Sequence, residues 1–269
     1  MVIALFGLGM AGSGLFESIP HGTVATAAGA ATEGTEVRFG VPGSALFGQA
    51  ATATADGAAN SAYDSFASLG GGVLMANMML GEVSPGGAGS GLYGLVIIAL
   101  LAVFLGGLMI GRTPEYLGKR LGPREMKLVS LTVLTAPCAV LIGVAIAIAV
   151  PAGPKSTGNP GTHGLSELLY AFTSCEAGND SAFAGFSGNT PVFNLALSAA
   201  MLVGRYLPMI LVLALAASFG GQRTRAINSG TLDTSTVSFA GLMIGAVLIV
   251  VGLEYLPALA LGPITEGLS

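Results

Sequence analysis

Long apolar segments alternate with polar loops along the chain, and four of these segments are long enough to cross a bilayer. A membrane-spanning helix needs about 20 consecutive apolar residues. A further apolar segment at residues 1–16 falls short of that length. The predicted spanning helices cover residues 92–111, 129–150, 193–219 and 236–258.

Two more segments, residues 43–66 and 165–187, are too polar to span a bilayer and too apolar for plain loops. Each begins as a modest amphipathic helix and then changes to small polar residues. Non-helical backbone at membrane depth is tolerated where it is buried in protein or lines a water-filled cavity. The pattern predicts two re-entrant pore loops. The pairs Gly111-Arg112 and Gly204-Arg205, one after each loop, indicate two units of helix, pore loop and helix, with a last helix appended.

Positive charges predict how the helices are oriented in the membrane. Cytoplasmic loops carry an excess of Lys and Arg. The two basic loops should therefore be cytoplasmic, while residues 17–45 and 151–165 should lie outside. The first basic loop contains Arg112, Lys119, Arg120, Arg124 and Lys127, and the second contains Arg223 and Arg225.

Composition supports a membrane protein, because 52% of the residues are hydrophobic and only 9% are charged. A soluble domain usually carries about 25% charged residues. The two cysteines form no disulfide or zinc pattern. His21 and His163 are isolated in the sequence, so we expect loop or surface roles for them and no metal cluster. The basic loop has few aromatic residues, so nucleic-acid binding is not expected.

The two predicted pore loops contain the small, hydroxyl and glycine residues that a potassium filter requires. Such a filter replaces the hydration shell of the ion with backbone carbonyl oxygens. Residues 52–57 and 173–180 have this composition, which an ordinary external loop also has. The glycine-rich run at 86–91 lacks the Gly-Lys-Ser/Thr ending of a phosphate loop and is interpreted as a break in a membrane helix.

Two charged residues in apolar surroundings are candidates for the ion path, because charge at membrane depth is costly and usually functional. Arg205 lies inside a predicted spanning helix, and we favour a role facing a cavity over snorkelling to the surface. Glu82 precedes the helix at 92–111, where it either pairs with Arg205 or faces outside water.

From about residue 36 to the C-terminus, the chain resembles the KdpA family, the potassium-binding subunits of the Kdp potassium-transporting ATPase. The segments GRTPEYLGK at 111–119 and PALALGP at 257–263 are long and specific. Shorter matches are VRFG at 37–40, MLGEV at 79–83, GSGLYG at 89–94, REMKL at 124–128, Gly185, NTP at 189–191 and Gly204-Arg205.

The resemblance implies an all-α integral membrane fold of helix–pore-loop–helix repeats, similar to the Trk/Ktr/HKT potassium transporters, with re-entrant pore loops around one outer filter. Within this plan, residues 1–111 would hold most of the third repeat and residues 129–219 the fourth. The remaining predicted regions are a cytoplasmic basic loop at 112–128, a second cytoplasmic loop at 220–235, and a final helix with an external tail at 236–269. The first two repeats, the N-terminal half of the subunit, would be missing.

The resemblance also implies the site residues. Gly57 matches a filter glycine, Asp180 falls where the fourth repeat usually has one, Asp56 replaces a usual Cys and Glu176 a small residue. Glu82, Arg112 and Arg205 match charged positions of the ion path or of subunit contacts. The implied filter residues, which would bind K⁺, are Thr54, Ala55, Asp56, Gly57, Ser174, Cys175, Gly178, Asn179 and Asp180.

The implied function is to bind and translocate K⁺ in an ATP-driven uptake complex of a bacterial or archaeal plasma (inner) membrane. A KdpB-like P-type ATPase subunit would hydrolyse ATP, and KdpC-like and KdpF-like small subunits would complete the complex. No organic cofactor is implied. The alternatives are a stand-alone Trk-like channel or transporter, and an inactive fragment of a split or truncated gene.

Overall fold

The long apolar segments fold as helices where the sequence predicts them. The computed structural model describes residues 1–19, 32–81, 83–111, 113–224 and 232–268. Within these residues, four helices are long and apolar enough to cross a membrane, which confirms the prediction of an integral membrane protein. They are α4 (Ser90–Ile110), α5 (Pro123–Ala149), α8 (Pro191–Gly220) and α9 (Val237–Leu259).

Shorter elements fill the intervals between the spanning helices. The helices are α1 (Val2–Ser18), α2 (Gly40–Ala53), α3 (Ser68–Met79), α6 (Ala152–Ser156), α7 (Gly161–Ala177) and α10 (Thr265–Leu268). A 3₁₀ turn covers Tyr63–Ser65 and a π-helical turn covers Ala260–Ile264. The two-residue strands β1 (Glu115–Tyr116) and β2 (Lys119–Arg120) pair antiparallel in the basic loop, which is the one departure from an all-α fold among the described residues.

Helix α5 begins six residues before the predicted boundary at residue 129, so the basic loop is shorter than predicted. Pro123 occupies the start of the helix, where its fixed φ suits the first turn. The Gly122 amide donates a hydrogen bond of 3.0 Å to Oε2 of Glu125, which satisfies a free amide at the helix start. These two start signals extend the helix into a polar segment that hydropathy alone excludes.

Helix α3 is absent from the sequence-based prediction. Its segment contains three consecutive glycines, Gly70 to Gly72, which lower helix propensity. The helix forms because it is buried: Leu74 and Met75 are fully inaccessible to solvent. The glycine-rich run at 86–91 then separates α3 from α4, as the predicted helix break requires.

Polar contacts join separate segments at two places in the fold. The Lys119 ammonium donates to the Gln222 carbonyl oxygen (2.5 Å), which joins the basic loop to the segment after α8. In another group of contacts, His163 at the start of α7 lies 3.0 Å from Asp64 and 2.9 Å from Glu266 near the C-terminus. The two basic segments therefore contact each other, and three segments predicted to lie outside also meet.

Candidate ion-binding site

The two predicted pore loops each leave the end of a buried helix. The first loop (residues 54–62) follows α2, and the second loop (residues 178–190) follows α7. Each contains a residue in the left-handed region, Gly57 with φ of 70° and Asp180 with φ of 67°. Glycine adopts this conformation freely, whereas it is strained for most other residues, and Asp tolerates it better than most. Asp180 thus has the backbone conformation of a glycine.

The two loops contact each other directly, through one side chain and one close backbone approach. The side-chain nitrogen Nδ2 of Asn179 donates hydrogen bonds to the carbonyl oxygens of Ala51 (2.6 Å) and Thr54 (2.7 Å). In the opposite direction, the Gly57 backbone packs against the carbonyl oxygen of Asn179, where an alanine Cβ would overlap that oxygen. The two segments therefore share one site, although they are more than a hundred residues apart in sequence.

Side chains of its own segment hold the second loop. The Ser181 hydroxyl donates to Oδ1 of Asn179 (2.5 Å) and lies 2.8 Å from the Tyr170 hydroxyl. The Ser174 hydroxyl donates to the Ser181 carbonyl oxygen (2.6 Å). All four residues are buried, so their hydrogen bonds are shielded from water and fix the Asn179 amide towards the first loop.

Groups from other segments hold the end of α2, from which the first loop leaves. The side-chain nitrogen Nδ2 of Asn77, in α3, donates hydrogen bonds to the Gln49 backbone carbonyl oxygen (3.1 Å) and to the Thr52 hydroxyl (3.0 Å). The Gly86 amide of the glycine-rich run donates to the Ala53 carbonyl oxygen (3.0 Å). The end of α2 is thereby tied to α3 and to the break between α3 and α4.

The residues that the sequence assigns to the filter differ in exposure. Ser174 and Asn179 are buried, Asp56 and Asp180 are exposed, and the others are partly buried: Thr54, Ala55, Gly57, Cys175 and Gly178. The exposed carboxylates place negative charge at both loops, which favours cations.

Of the three charged residues predicted for the ion path, the structure describes only Arg205. Glu82 and Arg112 lie outside the described residues, so their predicted roles stay predictions. Arg205 is exposed on α8, while its neighbour Gly204 packs against the backbone of Glu176 at the end of α7.

A cavity of about 160 Å³ lies beside the end of α7. Glu176, Ala177 and Gly204 form part of its wall, together with Ser90 at the start of α4 and Glu254 of α9. The cavity therefore begins where the second loop leaves α7 and continues along the spanning helices. Its wall is mostly apolar, and Glu176 and Glu254 bring two carboxyl groups to it.

Sequence reasoning missed three residues that hold the site: Asn77, Tyr170 and Ser181. Asn77 carried a local signal, because a lone amide within an apolar helical segment needs a hydrogen-bond partner. Tyr170 and Ser181 carried none, since both are ordinary in a segment of mixed polarity.

The expectation that His163 is isolated is wrong. It contacts Asp64 and Glu266, and Glu167 follows it by one helical turn of α7. Burial opposes the charged form of the ring, but the hydrogen bonds that the ring donates to Glu266 and Asp64, with the charges of these two carboxylates, raise the pKa of His163 above its ordinary value. The contacts come from three segments, so of these residues only Glu167, four positions after His163, could have been found from spacing along the sequence, and it was missed.

Four spanning helices and two helix-and-loop units whose loops meet define an α-helical integral membrane protein built from helix–loop–helix repeats. The family model described as "KdpA: Potassium-transporting ATPase A subunit" matches residues 1–268, and the chain belongs to this family.

Similar proteins include three that carry the name "Potassium-transporting ATPase potassium-binding subunit". The protein of Frankia alni is 54% identical over 268 residues, which cover 99% of this chain and 46% of that protein. Those of Clavibacter michiganensis and Mycobacterium avium are each 54% identical, over 95% and 94% of this chain and over 47% and 46% of their own lengths. The chain spans about half the length of the curated relatives it matches.

Proposed function

We propose that the chain supplies two loops of a potassium filter in the potassium-binding subunit of an ATP-driven uptake complex. The contact between the loops carries this proposal: Asn179 bonds to Ala51 and Thr54, and Gly57 packs on Asn179. Loops that share one site can present carbonyl oxygens to one dehydrated ion. The names of the relatives supply the identity of the ion.

The proposed ion-binding residues are those of the two loops and of the helix ends before them. Carbonyl oxygens near Gly57 and Asp180 would face the ion, because left-handed residues interrupt helical pairing and turn the backbone. Asp56 and Asp180 would raise the local concentration of cations. The members of the site are Thr54, Ala55, Asp56, Gly57, Ser174, Cys175, Gly178, Asn179 and Asp180.

The rest of the path and the partners are also part of this proposal. Ions would pass from the loops into the cavity beside Glu176 and on to an ATPase subunit of the KdpB type, which hydrolyses ATP. Glu82, Arg112 and Arg205 would line this path or contact other subunits. KdpC-like and KdpF-like subunits would complete the assembly in the plasma (inner) membrane of the cell.

Because the chain spans about half of its relatives, it needs the N-terminal half of the subunit to close a ring of loops. The test is growth of a potassium-uptake-deficient bacterium at micromolar potassium. We expect growth when the chain is produced together with the N-terminal half of a relative and the ATPase subunits. Growth with the chain alone would contradict the proposal and favour a stand-alone channel or transporter.

A matched pair of variants links growth to the loops. Asp56→Asn removes a carboxylate from the first loop and should reduce potassium uptake at low concentration, measured with radioactive rubidium. Asp233→Asn removes an equally exposed carboxylate next to α9 and should leave uptake unchanged. Equal uptake by both variants would remove Asp56 from the site.

A further inference from the structure

Three side chains that can bind a metal ion converge beside the later part of the second loop, at residues that the proposed filter does not include. Asp64 lies in the 3₁₀ turn after the first loop, and His163 and Glu167 lie one helical turn apart on α7. One potential ligand atom from each residue lies within 4.8 Å of the other two. The proposed ion path uses none of these residues.

The charge around this cluster is strongly negative. Asp64 and Glu266 each pair with His163, and Glu167 adds a third carboxylate. In the part of the chain that the structure describes, no Lys or Arg forms an ion pair with Asp64 or Glu167. Glu167 is fully buried, and the side chains of Asp64 and His163 are 15% and 19% exposed. Carboxylates at such low exposure require a cation or several donors.

The imidazole has the orientation that a metal ligand needs. Its Nδ1 lies 2.9 Å from Oε1 of Glu266, and its Nε2 lies 3.0 Å from Oδ1 of Asp64. Histidines that bind a metal through one nitrogen usually donate the other N–H to a carboxylate, which fixes the ring and its tautomer. Phe183 stacks on the ring at 6.1 Å between centroids and further restrains it. Glu266 therefore orients the ring while Nε2 faces Asp64.

The carboxylates are also held in place. Glu167 accepts hydrogen bonds from the Gly158 amide (2.8 Å) and from the Asn159 side chain (2.9 Å), and Asp64 accepts one from the Gly185 amide (3.1 Å). A Cβ at Gly185 would lie 2.6 Å from Oε1 of Glu167 and 2.7 Å from Oδ2 of Asp64. Gly185 thus packs directly on both carboxylates, where any larger residue would collide with them.

We propose that Asp64, His163 and Glu167 bind one divalent transition-metal ion, with zinc as the best fit, and that Glu266 orients the imidazole. One imidazole nitrogen and two carboxylate oxygens suit Zn²⁺, which accepts nitrogen and oxygen ligands at about 2.0–2.2 Å. A water molecule would complete the coordination. The ion would join the segment after the first loop to α7 and the C-terminal helix α10, and so brace the outer rim of the fold.

The test uses the tag-free 269-residue chain in detergent, stripped with a chelator and titrated with cobalt chloride. Bound cobalt reports its ligands through visible d–d absorption, and zinc chloride should displace it. We expect a single equivalent to bind and Asp64→Asn to abolish the spectrum. Glu266→Gln should weaken affinity by about 10- to 100-fold, the usual effect of losing the partner of a ligand histidine. Glu33→Gln, an exposed carboxylate outside the cluster, is the control and should bind like the original chain.

Thermal unfolding supplies a second readout that separates a metal site from a purely structural cluster. Zinc should raise the unfolding temperature of the original chain and of Glu33→Gln, but not of Asp64→Asn, because only a folded site binds the ion. His163→Gln serves if Asp64→Asn does not fold. Cobalt bands typical of thiolate ligands, or equal affinity in the original chain and Glu266→Gln, would overturn the proposal.

Discussion

The two loops of the candidate site both turn through left-handed residues but are held in different ways. The first loop has one such residue, Gly57, and the second has two, Gly178 and Asp180. The start of the second loop is fixed by hydrogen bonds among Tyr170, Ser181 and Asn179 of its own segment. The first loop has one bond of this kind, from the Tyr63 hydroxyl to the Ala58 carbonyl oxygen, and its start depends on groups from elsewhere, including Asn179 of the second loop.

This difference predicts an order of dependence: the geometry of the first loop depends on the second loop more than the second depends on the first. A buried network within one segment keeps its geometry as long as its own helix is folded. A loop that is held from outside loses its geometry when any of its supports is removed. We therefore expect damage to the second loop to spread to the first, and damage to the supports of the first loop to stay local.

The largest expected effect comes from Gly57→Ala. The added Cβ would overlap the Asn179 carbonyl oxygen, and alanine in the left-handed region costs about 1–2 kcal/mol in addition. Both loops must therefore shift. We expect a clear drop in the thermal unfolding midpoint in detergent and loss of potassium binding by the assembled complex.

The control is Gly161→Ala at the start of α7. Gly161 has a φ of 71°, but a Cβ there meets no atom within 4 Å. This variant has the backbone strain without the overlap, so its midpoint should fall less than that of Gly57→Ala. Equal drops in the unfolding midpoints of the two variants would show that the overlap with Asn179 adds nothing to the destabilisation caused by Gly57→Ala.

Local sequence patterns predicted the parts of this fold that local chemistry determines. Hydropathy predicted the four spanning helices, and glycine content predicted the break at 86–91. Helix α3 was missed, because its glycines conceal a helix that only burial stabilises. A spanning helix is fixed by its own composition, whereas a short buried helix is fixed by its neighbours.

In the candidate site, too, local features could be predicted from the sequence and long-range contacts could not. Its loop composition was visible in the sequence, but the bond from Asn179 to Ala51 joins residues 128 positions apart. No periodicity or motif links two such positions. The surroundings of His163 were missed for the same reason, since Asp64 and Glu266 are 99 and 103 positions away.

A smaller effect is expected from Asn179→Ala, which removes the bridge between the loops. The buried carbonyl oxygen of Ala51 would lose its donor, which costs about 1–3 kcal/mol, whereas the Thr54 carbonyl oxygen would keep the Asp56 amide as a donor. Hydrogen–deuterium exchange should rise in both loops. Asn77→Ala removes a support of the first loop alone, so exchange should rise there and not at residues 178–190.

Asn189→Ala is the control for this pair, because its side chain makes an exposed contact with Asn194 and no contact between the loops. It should exchange like the original chain. If Asn77→Ala increases exchange in both loops as strongly as Asn179→Ala does, the proposed order of dependence is wrong.

The smallest effect is expected from Asp180→Gly, which makes the second loop resemble the first. Glycine relieves the left-handed strain and should stabilise the chain by less than about 1 kcal/mol. It also removes an exposed carboxylate, so the assembled complex should select potassium over sodium more sharply, measured by competition in ion-uptake assays. Asp180→Asn separates the two causes, because Asn has no charge but also tolerates the left-handed region. A gain in stability should therefore follow Gly and not Asn, whereas a change in selectivity shared by both variants would come from the charge. If neither variant alters the ratio of potassium to sodium uptake, Asp180 does not face the ion.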